Sequence, residues 1–497
     1  MKIALKDRPM ACCREISHQV KTARDEAECI VPDVFEDVGR ILFAKAQILL
    51  KSKEIRDHGI CIGASAEIGV RYVTERRDRV RFLKLSKAFE ISFDCPEIDS
   101  EDMAQVSLQC LGVQARAVNP RKISAQFSVR AEIRCWTEGC LNVPSDPEEP
   151  ERGLQLRRES TECLTPVQLC EKSFVVSEQL PLGTETAEAV SGAYARLLCS
   201  DAQPIGNKML LKGGAEVCVD LGSSEAVVPN TIEQCLPFSI LIDMPDENCT
   251  LGSVTLEPTA LYAELSDAIN GSRVVELELH GTAQVCFEKR GSIEYLSDAY
   301  STRCPLITEE STVSICRGRS RESFSAETAE RVKAEADRGE IAACFADILS
   351  YAARDGKAEL SASVSLLLRA EDGSFDVLQR LVSLSTALPE GADELDAARI
   401  TAVHARREGE EIVIALSAEF DSVQCDYARL CYLSSIEADE DESFDASTLP
   451  SLTIVKSGEH DLWELAKRYH SSVEAIREMN EKYRTEEGLL LIPRAQT

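Results

Sequence analysis

Apolar and polar residues alternate with a period of two along most of the chain. Ile123, Ala125, Phe127, Val129, Ala131 and Ile133 alternate with Ser124, Gln126, Ser128, Arg130, Glu132 and Arg134. This is the pattern of a strand with one buried face and one wet face. Val275, Leu277 and Leu279 alternate with Glu276, Glu278 and His280, and Ile412, Ile414 and Leu416 form a third such run. Turn-forming clusters punctuate the runs, among them Asp57-His58-Gly59, Asn270-Gly271 and Arg354-Asp355-Gly356, as hairpins require. Sheets with one apolar face bury it against another sheet, so the pattern predicts antiparallel β-sandwich-like units.

The strand patterns repeat at a long and nearly constant offset. Ala66-Glu67-Ile68 recurs 149 residues on as Ala215-Glu216-Val217, and Ala362-Ser363-Val364 follows after another 147. Phe89 and Phe238 share the offset of 149, with Leu384 to Leu388 in the comparable place of a third copy. Val106-Ser107-Leu108 and Val254-Thr255-Leu256 match in the same way, and Arg399-Ile400-Thr401 lies further along. The reading is three tandem repeats over 31–140, 171–290 and 325–435, the third the most diverged. Polar connectors separate them: Pro144 to Arg158, and Ser311 to Glu340, whose Ala-, Glu- and Lys-rich second half predicts a helix. The acidic run within 436–449 is too poor in apolar residues to pack and is read as a flexible linker.

Residues 450–497 change period. Leu452 to Lys456 reads as a strand; Leu462, Leu465, Ala466 and Tyr469 recur at helical spacing behind Asp461 as N-cap. Ser471-Ser472-Val473-Glu474 opens a second helix with Val473, Ile476 and Met479 inward, and Leu489 to Pro493 closes a small βααβ unit. The fold class is therefore mainly β, three sandwich-like repeats followed by this small domain.

Composition narrows the function. The 85 acidic residues outnumber 55 basic ones, for a net charge of −30, which excludes a bare nucleic-acid binder and disfavours anionic membranes. Residues 450–497 hold seven basic and eight acidic residues, so nearly all of that charge lies in the repeats and linker. The 20 cysteines show no CxxC spacing and sit in strand-like apolar runs, where a reduced thiol acts as a small hydrophobe. The stretch Met1 to Pro9 has no apolar core of signal-peptide length, and no run approaches the ~18 apolar residues of a membrane helix. A cytoplasmic, reducing location is expected. The six histidines (His18, His58, His280, His404, His460 and His470) are scattered without HExxH. There is neither a GxSxG nor a Gly-rich loop ending in Gly-Lys-Ser/Thr. The chain reads as non-enzymatic, with no cofactor and no metal.

Two resemblances add to this. Val455-Lys456-Ser457-Gly458, Leu462 to Tyr469, Ser472 to Ile476, Asn480 and Leu491-Ile492-Pro493 resemble a LysM domain nearly end to end. Asn119-Pro120-Arg121-Lys122-Ile123, Glu171 to Val176 with Leu180-Pro181-Leu182, Pro237-Phe238-Ser239 and Asp298-Ala299-Tyr300-Ser301 resemble SPOCS domains. SPOCS repeats followed by one C-terminal LysM are similar to the SipL-like spore coat and envelope morphogenesis proteins. That resemblance implies a sporulation scaffold in the mother-cell cytoplasm, at the forespore surface. There the LysM domain docks on the stage IV sporulation protein A ATPase and the chain supports coat assembly with coat proteins as further partners. The partner-binding surface of that module is read as Gly458, Leu462, Trp463, Ile476 and Asn480; Trp463 is either a core or half-buried ring of the small domain or a side chain partly at the docking surface, where Trp often anchors an interface, and both can hold together. The alternative is a peptidoglycan or N-acetylglucosamine-binding protein of cell wall or spore cortex, since LysM domains commonly bind such glycans.

Overall fold

The computed structural model describes residues 2–494 except 77–78, 150, 183–186, 224–229, 268–271, 334–338, 371–372, 393, 440–441, 443, 445–449, 457–460 and 483–488. The chain is mainly β, in several small antiparallel sheets with two short helices near the C-terminus. The first group of strands is β2 (Leu5–Ile30), β3 (Val38–Arg56), β4 (Gly59–Thr74), β5 (Val80–Asp94), β6 (Met103–Asn119) and β7 (Lys122–Pro147). In it β7 lies between β2 and β6, and β4 between β3 and β5. The second group is β8 (Leu154–Pro181), β9 (Ala189–Ile205), β10 (Lys208–Gly222), β11 (Asn230–Asp243), β12 (Cys249–Asp267) and β13 (Arg273–Ser301). Here β13 lies between β8 and β12, and β10 between β9 and β11. The third is β14 (Leu306–Lys333), β15 (Glu340–Arg354), β16 (Lys357–Arg369), β17 (Phe375–Ala387), β18 (Glu394–Glu408) and β19 (Glu411–Ala438). Now β19 lies between β14 and β18, and β16 between β15 and β17.

Alternation explains why each pair of sheets holds together. Ile123, Ala125, Phe127, Val129, Ala131 and Ile133 of β7 are each at most 1% exposed, and they meet Ile60, Ile62, Ile68 and Tyr72 of β4 in one apolar core. Ile412, Ile414, Leu416 and Phe420 do the same against Leu360, Val364 and Leu366. The tight turns entering the central strands β4, β10 and β16 are two-residue loops: Asp57-His58, Gly206-Asn207 and Asp355-Gly356. Positive φ at His58, Gly206, Asp355 and Gly356 is what loops matched to strand twist demand. Asn270-Gly271 lies outside the described residues.

The middle strands run on past their sandwiching partners. β7 pairs with β6 only as far as Trp136, then continues to Pro147 on β2 alone. β13 beyond Lys289 pairs only with β8, and β19 beyond Val423 pairs with β14, with the two-residue β1 (Lys2–Ile3) added at its far end. The three ribbons so formed pack on one another. Val143, Cys163, Ile293, Ile315 and Leu430 form one shared cluster, and Ile3, Leu296, Leu433 and Ile436 another.

This geometry differs from the sequence reading in the segments read as connectors. Ser311 to Glu340 is mostly strand β14, because Phe324, Ala326 and Val332 place alternate side chains against the third core and Lys333 pairs with Glu411. Burial overrides the helix propensity of its Ala and Glu. The strand β19 extends to Ala438, inside the segment read as linker, since Ile436 is fully buried opposite Ile3. The strand groups span 5–147, 154–301 and 306–438, wider than 31–140, 171–290 and 325–435.

Buried polar contacts join the groups. The Gln284 amide of β13 donates to the Val106 carbonyl (2.7 Å) and accepts from the Val106 N–H (2.9 Å), while Gln105 donates to the Gln284 carbonyl (3.1 Å). Gln109 donates to the Ala398 carbonyl at 3.1 Å, and Arg319 pairs with Glu288 at 2.8 Å.

Candidate functional site

The C-terminal segment is built as β20 (Leu452–Lys456), α1 (Leu462–Arg468), α2 (Val473–Lys482) and β21 (Leu489–Pro493). Asp461 caps α1, its carboxylate accepting the Trp463 N–H at 3.1 Å, and Ser472 caps α2 by accepting the Ala475 N–H at 3.1 Å. β20 and β21 pair antiparallel with Ile454 opposite Leu491. Leu465, Ala466, Ile476 and Ile492 are its buried centre. The Asn480 amide joins α2 to β21: it donates to the Leu491 carbonyl (2.7 Å) and accepts the Leu491 N–H (2.9 Å). A fifty-residue unit has little area to bury, so this two-way bond matters to its shape.

One face of α1 is turned onto the end of β13. Trp463 is 9% exposed, with its ring edge-on to Tyr300, centroids 4.9 Å apart at 71°. Its indole Nε1 donates to Asp298 Oδ2 at 2.7 Å, and Lys467 Nζ reaches both Asp298 oxygens at 2.8 Å. The Tyr300 hydroxyl donates to the Ser471 carbonyl at 2.8 Å, while Arg157 of β8 meets Asp461 at 2.9 Å. Burial raises the Tyr300 phenol well above its ordinary range, so it stays a donor. Phe444 lies against His470 with centroids 3.9 Å apart.

Of the residues expected at a partner surface, Ile476 is interior and Asn480 serves the module's own framework. Leu462 is half-buried, and Trp463 faces the body of the protein. Gly458 lies outside the described residues. Sequence reasoning did not find Asp298, Tyr300, Lys467 and Arg157 as members of one site. Asp298-Ala299-Tyr300-Ser301 stood out as a motif, but nothing local ties it to a tryptophan 163 positions after Tyr300. The sheet face away from the helices leaves Leu452, Ile454 and Leu489 exposed, Ile454 by 61%.

A second cluster of chemistry-bearing groups lies where the first and third groups meet. His18 Nε2 is 2.9 Å from Glu132 and its Nδ1 is 3.3 Å from Glu394. Arg130 and Arg134 hold the same carboxylates, at 2.6 Å to Glu132 and 3.0 Å to Glu394. One ligand atom from each of His18, Glu132 and Glu394 lies within 4.8 Å of the others, close enough to hold a metal ion, and the Arg130 and Arg134 guanidinium groups join the same carboxylates to an ion-pair network. The hydrogen bond to Glu132 raises the His18 pKa above 6.5, helped by Glu394 and opposed by burial and Arg134. A folded-state pKa above the unfolded one gives stability that is complete below about pH 6.5 and fades as pH rises through the raised value. Thermal unfolding of the wild type and of His18→Gln, followed across pH, should therefore differ most in mild acid and converge in base. A gap that widens with pH would contradict the assignment.

Beside this network, a cavity of about 630 Å3 opens between the three groups, lined by Glu257, Gln105, Arg196, Arg321, Tyr351 and Asp421 among others. Burial pushes the Glu257 carboxyl up to about 8, although it accepts the Leu108 N–H at 3.2 Å.

Comparisons with known proteins return no match: no family model fits the chain, and no curated protein or solved structure is similar to it.

Proposed function

We propose that the chain is a non-enzymatic sporulation scaffold made of three SPOCS-like sandwich modules and a C-terminal LysM domain. The LysM domain docks on the stage IV sporulation protein A ATPase at the forespore surface, and the modules present β surfaces to coat proteins. The observation that carries this reading is the strand order: the same six-strand pairing occurs three times, and a β-α-α-β unit follows it. The −30 net charge resists nonspecific association of such a body, and three modules in one chain raise the effective concentration for any repeated partner. Among the described residues no helix is long and apolar enough to cross a membrane.

The test is a binding titration of the full chain and of a chain ending at Asp439 against the ATPase and against soluble chitin and peptidoglycan fragments. Asp439 is the right endpoint, because its N–H bonds the Pro305 carbonyl at 3.0 Å and β19 is then left whole. ATPase binding by the full chain and its loss in the truncated one are expected. Glycan binding without ATPase binding would move the protein to the wall or cortex class.

A further inference from the structure

We infer that the C-terminal module is held in cis on a shelf formed by Asp298 and Tyr300, and that this contact competes with partner docking through α1. The inference rests on the scaffold reading above, and it concerns when the module is available rather than what it binds.

Most of the module's core is its own: Leu465, Ala466, Ile476 and Ile492 pack together with Val455, Val473 and Leu490, and Tyr300 is the one buried residue of the strand groups in that cluster. What joins it to the body is one aromatic pair, Tyr300 with Trp463, two hydrogen bonds, from the Tyr300 hydroxyl to the Ser471 carbonyl and from the Trp463 indole to Asp298, and a frame of charge contacts. Lys467 with Asp298 and Arg157 with Asp461 are partly solvent-exposed pairs, with side chains 27–48% accessible. Such pairs are individually weak and fall further with salt. A contact of this size suits a reversible association rather than a permanent domain interface. Residues 439–451 connect β19 to β20, a number of residues that reaches ~40 Å at full extension; the Phe444 N–H bond to the Arg303 carbonyl (2.8 Å) or the Phe444–His470 contact opens when the module leaves the shelf.

The shelf takes what a partner would otherwise use. Tryptophan is among the side chains most often found as an interface anchor, and residues 450–497 contain one, Trp463, whose indole N–H and ring are both engaged by β13. A protein whose competent state is only partly populated binds with its affinity divided by that fraction. Loosening the shelf therefore raises affinity without touching the docking face.

Asp298→Ala in the full chain is the direct test, with Lys467→Ala as an independent way to weaken the same contact and Asp298→Glu as the conservative control. The chain has two tryptophans, Trp136 and Trp463, so a Trp136→Phe background makes Trp463 the sole reporter. In Asp298→Ala and Lys467→Ala, Trp463 emission should shift to the red and acrylamide quenching should rise. Affinity for the spore ATPase should increase, by roughly ten-fold for Asp298→Ala, while Asp298→Glu stays near the wild type. Circular dichroism confirms that each variant retains its strands. Unchanged emission would overturn the latch. Red-shifted emission with unchanged ATPase affinity would also overturn it, placing the docking face elsewhere on the module and leaving the scaffold reading intact. If no form of the chain binds the ATPase, the scaffold reading fails and the inference falls with it.

Discussion

Asp220→Asn is expected to destabilise the protein by ~3–5 kcal/mol, one of the two largest single-residue effects the structure implies. Arg71 of β4 is 2% exposed and reaches across from the first strand group to the second. Its guanidinium donates to the Ser191 hydroxyl at 3.1 Å and the Leu221 carbonyl at 3.3 Å. Burial pulls its pKa down to about 10, with the field of Asp220 working in the other direction, so it is charged at neutral pH. Asp220 is itself 3% exposed; it accepts from the Thr231 hydroxyl at 3.1 Å and faces Lys45 at 3.6 Å. The neutral amide keeps the shape and removes the charge, so the buried Arg71 loses the favourable field of Asp220 and Lys45 loses its anion. Denaturant unfolding monitored by circular dichroism measures the loss. Adding Arg71→Met should recover part of it, because the buried cation that Asp220's field stabilises is then gone as well. A loss below ~1 kcal/mol, the scale of one ordinary hydrogen bond, would mean that Arg71 is held without help from the Asp220 charge.

The same interface shows what kind of information the sequence holds. Alternation at Ile123 to Ile133 states which residues are inward, and these are at most 1% exposed. It also states that neighbouring runs form hairpins, as the two-residue turn at Asp355-Gly356 illustrates. It does not state where a strand stops. β14 carries Glu327, Glu330 and Arg331 on exposed positions, and those residues in an Ala-rich stretch read locally as a helix. Their fate is decided by β19, whose register from Glu411 to Ala438 offers a partner for every residue along most of β14. Pairing between segments a hundred residues apart leaves no mark on either alone. The acidic start of the supposed linker behaves alike, since Ile436 is a lone apolar residue in sequence and a fully buried one in the ribbon junction.

The candidate site divides along the same line. Within 450–497, helical spacing picks out Leu465, Ala466 and Ile476, all of which are interior. Trp463 was legible as unusual, but its neighbours were not. Asp298 and Tyr300 belong to a strand whose other residues pair with β8, and their approach to α1 is a matter of how the ribbon end meets the module. Buried charge was less legible still: Glu132, Glu257, Glu288 and Asp220 look like any of the 85 acidic residues until the three groups come together and exclude water from them.

Phe420→Ala tests whether those groups form one cooperative body. Phe420 is fully buried in the third core and stacks on Phe324, with centroids 5.3 Å apart and planes 19° from parallel. Truncation removes a large apolar side chain and leaves a cavity that rigid strands cannot close, at a cost of ~3–5 kcal/mol. The consequence depends on β19. That strand runs 28 residues without interruption, from Ile412 and Ile414 in the third core to Leu430, Leu433 and Ile436 at the ribbon junction. At the junction it packs against residues of the other two groups, including Val143 and Ile293. Strain in one half of a continuous ladder is shared by the other half, and the junction is common to all three groups. Thermal unfolding of Phe420→Ala, followed by far-ultraviolet circular dichroism and by near-ultraviolet signals from the tryptophans outside the third group, is expected to give one transition at a lower temperature by both probes. An early step carrying about a third of the strand signal, with the tryptophan signals unchanged, would show that the third group unfolds alone. In that case the ribbon junction would hold three independent modules side by side, and a ligand bound to one of them would lend no stability to the others.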